Sequence, residues 1–199
     1  MSAVKEPLPV DDAYPTPNEA PEAEPFSWRA LLEIVQALAL AVIISVFLNL
    51  FVVQVTEVRG RSMEPTLHQG DRVLVSKVDY RLTAPHAGDI IVFGPPVDTA
   101  IPFVKRVIAV AGDVVDLRDG KVLVNGDPVD APEAVGTSLP QSPKIAYPYT
   151  VPPGSVWTMG DNRPASSDSR SYGPDEVDKI IGKVILRFWP LGSLRFFEW

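Results

Sequence analysis

The sequence predicts a mainly β protein that follows one N-terminal transmembrane helix. Three observations predict it. An uncharged apolar stretch runs from Ile34 to Val53, short β-branched or aromatic runs separated by Gly-Asp dipeptides fill most of the rest, and no long segment after Val53 has helical periodicity.

Residues 1–27 read as a disordered acidic tail. Residues 1–25 hold six prolines and a net charge of −5 out of the chain's −7, and have almost no large apolar side chains to offset the entropy of ordering. A partner-binding motif is the alternative reading of this stretch. The anchor is expected over 28–53. As a helix, the twenty residues from Ile34 span about 30 Å, the thickness of bilayer hydrocarbon. A buried core helix would be shorter and would carry a polar face. A cleaved signal peptide would end in a small-x-small site, whereas Gln54-Val55-Thr56-Glu57 follows here.

Residues 54–199 are expected to form the β-rich domain. Gly-Asp recurs at 70–71, 88–89, 112–113, 126–127 and 160–161, beside runs such as Val73–Val75 and Ile90–Phe93. Turn dipeptides between such runs predict an antiparallel arrangement. Asp119-Gly120 supplies the positive φ angles of a two-residue hairpin turn and sets Leu117 across from Val122. A proline-rich excursion over about 127–153 interrupts the pattern.

Composition excludes several chemistries. The chain has no cysteine, so disulfides, thiol catalysis and thiolate metal sites are out. Two histidines make a protein-held zinc site improbable, and no cofactor or metal is expected. An acidic chain without a basic stripe also argues against nucleic acid as a partner.

Three segments have the residues for chemistry. Ser62 lies in Gly60-Arg61-Ser62-Met63-Glu64-Pro65, just past the anchor. Lys105 lies in Phe103-Val104-Lys105-Arg106-Val107, where strand alternation sets it beside Phe103, Val107 and Ala109, with Arg106 opposite. By itself such a lysine reads first as snorkelling at a strand edge. As a base it needs desolvation, because an amine at its ordinary pKa of about 10.4 is already protonated. Lowering that to about 7–8 takes roughly 4 kcal/mol of differential environment. Arg106 is expected to add a smaller push. The polar stretch Gly160 to Arg170 could hold a hydroxyl that aims the amine, with Asp168 and Arg170 as a bracing pair.

Together, Ser62-Met63-x-Pro65-Thr66-Leu67, Lys105-Arg106-Val107, and Gly160-Asp161-Asn162-Arg163-x-x-Ser166-x-Asp168-Ser169-Arg170 resemble the motif set of bacterial type I signal peptidases. Gly182-Lys183-Val184 and Phe188-Trp189-Pro190-Leu191 extend the resemblance. It implies a membrane-bound serine endopeptidase that removes signal peptides from exported preproteins. By it, Ser62 attacks, Lys105 takes and returns the proton, Ser166 orients Lys105, and Gly160, Asp168 and Arg170 support the site. It also implies a two-part antiparallel β unit with a peripheral excursion, and shallow apolar substrate pockets around Val58, Met63, Leu67 and Val104. Some members carry a serine oxyanion donor where Gly60 stands, which leaves the Ser62 N–H as the remaining donor.

Alternatives stay in view. A self-cleaving Ser/Lys protease of the repressor type predicts a DNA-binding region in place of the anchor. A membrane-tethered β binding domain predicts that Ser62 and Lys105 are dispensable. A triad through His68 or His86 is disfavoured by the six-residue gap and by the turn around His86. Phe196, Phe197 and Trp199 are read either as packing or as a membrane-surface contact. Arg29 on one side of the anchor against Arg59, Arg61 and Arg72 on the other puts the β domain inside by charge. Its length and the location of export signals put it outside, and the outside is expected.

Overall fold

The computed structural model describes residues 27–94, 101–129 and 131–197, so nearly all of the expected tail falls outside it. The chain divides into two units between Ala41 and Val42. Helix α1 (Trp28–Phe51) is apolar on every side. Within Trp28–Asn49 the most apolar 18-residue window has a mean hydropathy of 2.5 and is 0% buried. It begins six residues before Ile34 and ends at Phe51, because Val53 already enters a strand.

Strands β1 (Val53–Glu57) and β2 (Arg72–Ser76) pair antiparallel and bracket the Ser62 segment. A single turn, α2 (Asp79–Leu82), leads to β3 (Ile90–Phe93) and β4 (Phe103–Val110). Then come β5 (Val114–Arg118), β6 (Lys121–Val124), β7 (Asp127–Pro128) and β8 (Tyr149–Thr150), a second sheet in the order β7-β6-β5-β8. The chain returns to the first sheet through β9 (Ser155–Met159), α3 (Ser169–Tyr172), β10 (Asp175–Glu176), β11 (Ile180–Trp189) and β12 (Arg195–Phe196). That sheet runs β1-β2-β11-β3-β4-β9-β10, with β12 also on β11. The described ladders are antiparallel, and the fold is mainly β.

The turn chemistry explains much of this layout. At Gly70-Asp71, Gly88-Asp89 and Gly112-Asp113 the glycine takes φ of 89°, 97° and 92°. The aspartate carboxylate accepts the N–H three residues back, from His68, His86 and Val110, each at 2.9 Å. Asp71 and Asp89 also pair with Arg187 and Lys183 of β11 at 3.1 and 2.8 Å, which fastens two turns to the central strand. Asp119 and Gly120 take φ of 50° and 74°, with Leu117 opposite Val122. Gly160-Asp161 is different: it makes no such turn and belongs to the site.

Strand β4 serves two cores. Val107 packs with Ile91, Phe93 and Val156, with Phe103 alongside. A register shift between Val107 and Ala109 then turns Ala109 to the opposite face, against Trp157 and Met159. The expected alternation therefore holds for Phe103, Lys105 and Val107 and fails at Ala109, because one extra residue reverses the pleat.

The proline-rich excursion reaches the site loop. The Val135 N–H donates to Asp161 O at 2.8 Å, the Arg163 N–H to Val135 O at 3.0 Å, and Gln141 Nε2 to Ser166 O at 2.8 Å. Other N–H groups of the excursion go to neighbouring turns and strands, from Ser138 to Gly120 O at 2.8 Å and from Val151 to Asp113 O at 2.9 Å.

Candidate active site

The backbone brings the three segments together. Ser62 follows Gly60, whose φ of 84° is a left-handed conformation that a side chain would strain. Position 60 thus lacks a hydroxyl donor for a backbone reason. Among the described residues, no backbone hydrogen bond of the turns and loops uses the Ser62 N–H. Across from this turn, the Asn162 N–H donates to Ser62 O at 2.9 Å and ties the site loop to the serine.

Lys105 Nζ donates to Ser62 Oγ at 2.7 Å. The lysine is 5% exposed. Burial pushes its amine down to about 8, opposed by the Asp168 and Asp175 carboxylates, while the Arg170 guanidinium adds to the downward push. The Phe103 ring centroid lies 5.3 Å from Nζ. Arg106, expected to push Lys105 from next door, instead faces away and meets Asp161 through Nε at 2.8 Å and Nη2 at 2.7 Å. Successive side chains of a strand point to opposite faces, so the guanidinium's charge is spent on the other side.

Asp168 and Arg170 form a buried two-pronged pair with both contacts at 2.8 Å. Asp168 also accepts the Gly160 N–H at 3.1 Å, and Arg170 donates to Arg163 O at 2.7 Å. Gly160 has no room for a side chain: a Cβ there would overlap Ser166 Oγ and Ser62 O. Ser166 is thereby set against the serine turn. Its hydroxyl is buried and makes no hydrogen bond, to Lys105 or otherwise.

Val58, Met63, Leu67 and Val104 are brought together, but as core. They join Val73, Val75, Ile90 and Val92 in one buried cluster. Val104 points away from Lys105, which is why these four do not wall an open pocket. A cavity of about 800 Å³ lies elsewhere, lined by His86, Asp89, Arg106, Glu133, Lys183 and Phe197. That is the Arg106 side of β4, and Ser62 is not among the lining residues.

Two residues escaped the sequence reading. Asp161 accepts from Thr66 Oγ1 as well as from Arg106, linking the serine turn to the lysine strand. Its place in Gly160-Asp161-Asn162-Arg163 was the available signal. Asp175 gave none: it sits in an ordinary-looking polar stretch, yet is buried and accepts from Thr158 Oγ1 at 2.7 Å.

A serine hydroxyl held against a buried amine of lowered proton affinity, on a β scaffold, is the equipment of a serine endopeptidase. Residues 31–189 match the family model described as signal peptidase, peptidase S26. The chain belongs to that family, whose reaction is signal-peptide removal by a serine protease. The probable signal peptidase I-1 of Synechocystis sp. is 37% identical over 186 residues, covering 86% of this chain and 92% of that protein. Signal peptidase IB of Staphylococcus aureus is 33% identical over 182 residues, covering 84% and 94%. A crystal structure of a signal peptidase I from Enterococcus faecalis V583 aligns at 27% identity with a TM-score of 0.42, over 51% of this chain and 97% of that one.

Proposed function

We propose that the protein is a membrane-anchored endopeptidase that cuts exported preproteins after small-x-small sites, with Ser62 as nucleophile and Lys105 as general base. The observation that carries this reading is the 2.7 Å contact between Lys105 Nζ and Ser62 Oγ, made by an amine whose burial brings it to about 8. Near neutral pH a useful fraction of such an amine is unprotonated. It takes the Ser62 proton as Oγ attacks the scissile carbonyl, and the Ser62 N–H stabilises the oxyanion. The ammonium then protonates the leaving amine, leaving an acyl-enzyme on Ser62. Water completes the cycle, with Lys105 again taking a proton.

Ser166 is proposed to aim the amine. A buried hydroxyl without a partner is costly, and Ser166 stands against the serine turn that Lys105 reaches. The preference for small residues is what the family resemblance implies, and the buried cluster of Val58, Met63, Leu67 and Val104 offers no open pocket for a large side chain. Residues 28–53 would serve as the anchor and 54–199 as the catalytic domain, facing the extracytoplasmic side with the tail inside. Preproteins and the bilayer are the partners. Detergent-solubilised protein should cleave a peptide with an Ala-x-Ala site and spare versions with leucine or phenylalanine before the cut. Equal cleavage of all three removes the specificity, and cleavage of none removes the activity.

A further inference from the structure

Lys105 shares its face of the sheet with a second ionisable group. Asp175 of β10 stands opposite Val156 of β9, and Thr158 of β9 stands opposite Val107 of β4. Opposed residues of an antiparallel pair share a face, as do residues two apart along a strand. Asp175, Thr158, Val107 and Lys105 therefore line one side, and Thr158 Oγ1 donates to Asp175 Oδ2 at 2.7 Å. Both residues are buried.

A structural bond alone does not account for a carboxylate here. An asparagine would accept from Thr158 equally well and would spare the cost of burying a charge. Nor is the charge matched by a direct partner: among the described residues no ion pair within 4.0 Å includes Asp175. Asp168, the other carboxylate acting on Lys105, is already engaged by Arg170 through both oxygens. Asp175 is thus the uncompensated negative charge facing the lysine.

The remaining groups are few. Asp175 feels Lys105 from β4, Asp168 from the site loop and Lys179 from the turn before β11. Burial raises its carboxyl to about 6, so it is ionised where Lys105 titrates, at about 8. Tyr172 of α3 is held well above its ordinary range by burial, by Asp175 and by Asp168, and stays neutral throughout.

We propose that Asp175 is a positioning residue for Lys105, stabilising the ammonium that forms when Lys105 takes the Ser62 proton and so setting the pH at which the enzyme works. Burial by itself makes an amine a weak base, and Asp175 returns part of that basicity. The proposal rests on the Ser62/Lys105 reading.

The test is the pH dependence of kcat/KM for peptide cleavage by the full chain in detergent, wild type against Asp175→Asn. The rising limb should move down in pH by about half a unit or more, because loss of a nearby opposite charge favours the neutral amine. A purely structural role would lower the rate at every pH and leave the midpoint in place. An unmoved midpoint, or an upward shift, overturns the proposal. A second measurement does not depend on activity. In Lys105→Met, the Asp175 carboxyl followed by carbon NMR should titrate above its wild-type value, since coupling between two sites is reciprocal. No change there also overturns the proposal, including the case in which Asp175→Asn does not fold. Failure of the dyad reading is separately visible, as cleavage by Lys105→Ala.

Discussion

Asp161 and Arg106 meet in a two-pronged ion pair, at 2.8 and 2.7 Å, on the side of β4 turned away from Lys105. The same carboxylate accepts from Thr66, four residues past Ser62. One side chain therefore ties the strand with the amine to the turn with the hydroxyl. Asp161→Ala leaves the mostly buried Arg106 guanidinium with the long Glu133 contact, at 3.9 Å, as its remaining ion pair. It should destabilise the protein by about 3 kcal/mol in urea denaturation, the range for breaking a buried pair. A loss under about 1 kcal/mol would show that the tie is not structural.

If the dyad acts as a unit, Ser62→Ala and Lys105→Ala should each reduce peptide cleavage to background while circular dichroism shows an intact fold. The double variant should be no worse than either single one. Measurable turnover by purified Lys105→Ala would remove the lysine from the mechanism.

Lys105 should also cost stability. Its folded-state pKa of about 8 lies below the unfolded value of 10.5. Between those values the unfolded chain binds more protons, so wild-type stability rises with pH across that window, and below about 8 the deficit is constant. Lys105→Met removes the deficit. It should stabilise the protein at pH 7 by up to about 3 kcal/mol at 1.36 kcal/mol per unit, with the gain gone by about pH 10.5. Denaturation midpoints at pH 7 and pH 10.5 check this; an equal gain at both would assign it to packing.

Gly160→Ala forces a methyl group against Ser62 O and Ser166 Oγ. The serine side chain can turn aside, but the carbonyl belongs to the turn that presents the nucleophile. We expect a loss of about 1–3 kcal/mol in stability and a fall in kcat of at least about 100-fold, since small misplacements of reacting groups cost that much. Near-normal kcat would mean the turn has slack.

On topology, protease added to intact spheroplasts should degrade the β domain and spare the acidic tail. Protection of residues 54–199 would reverse the orientation and leave the charge count of Arg59, Arg61 and Arg72 as the better guide.

The sequence made the local structure legible wherever turn chemistry was decisive. Asp119-Gly120 predicted both its positive φ angles and the Leu117–Val122 register, because few residues tolerate that geometry. The same reasoning reads all five Gly-Asp pairs as turn dipeptides; at Asp71, Asp89 and Asp113 the carboxylate caps the turn, and Gly160-Asp161 makes no such turn. There the glycine is needed for close approach by Ser62 and Ser166, a long-range demand without a local signal. The facing of Lys105 followed from alternation, whereas the reversal at Ala109 followed from a bulge that alternation cannot foresee. Val58, Met63, Leu67 and Val104 are placed around pockets only by the family resemblance, whereas the folded strands gather them into one buried cluster. Asp175 was out of reach, since its partners Thr158 and Lys105 lie 17 and 70 positions away in the chain.

The bulge after Val107 has a bearing on quality control during folding. Lys105 and Arg106 are adjacent, and β4 pairs with β3 so that Lys105 stands opposite Ile91. A slip of one residue in that ladder would hand the guanidinium to Ser62 and the amine to Asp161, giving a nearly intact sheet and an inactive enzyme. A bulge cannot slide with the strand: its extra residue must stay between Thr158 and Trp157, where the pleat reverses and Ala109 meets Trp157. It acts as a latch, so that the misregistered sheet cannot close its second core.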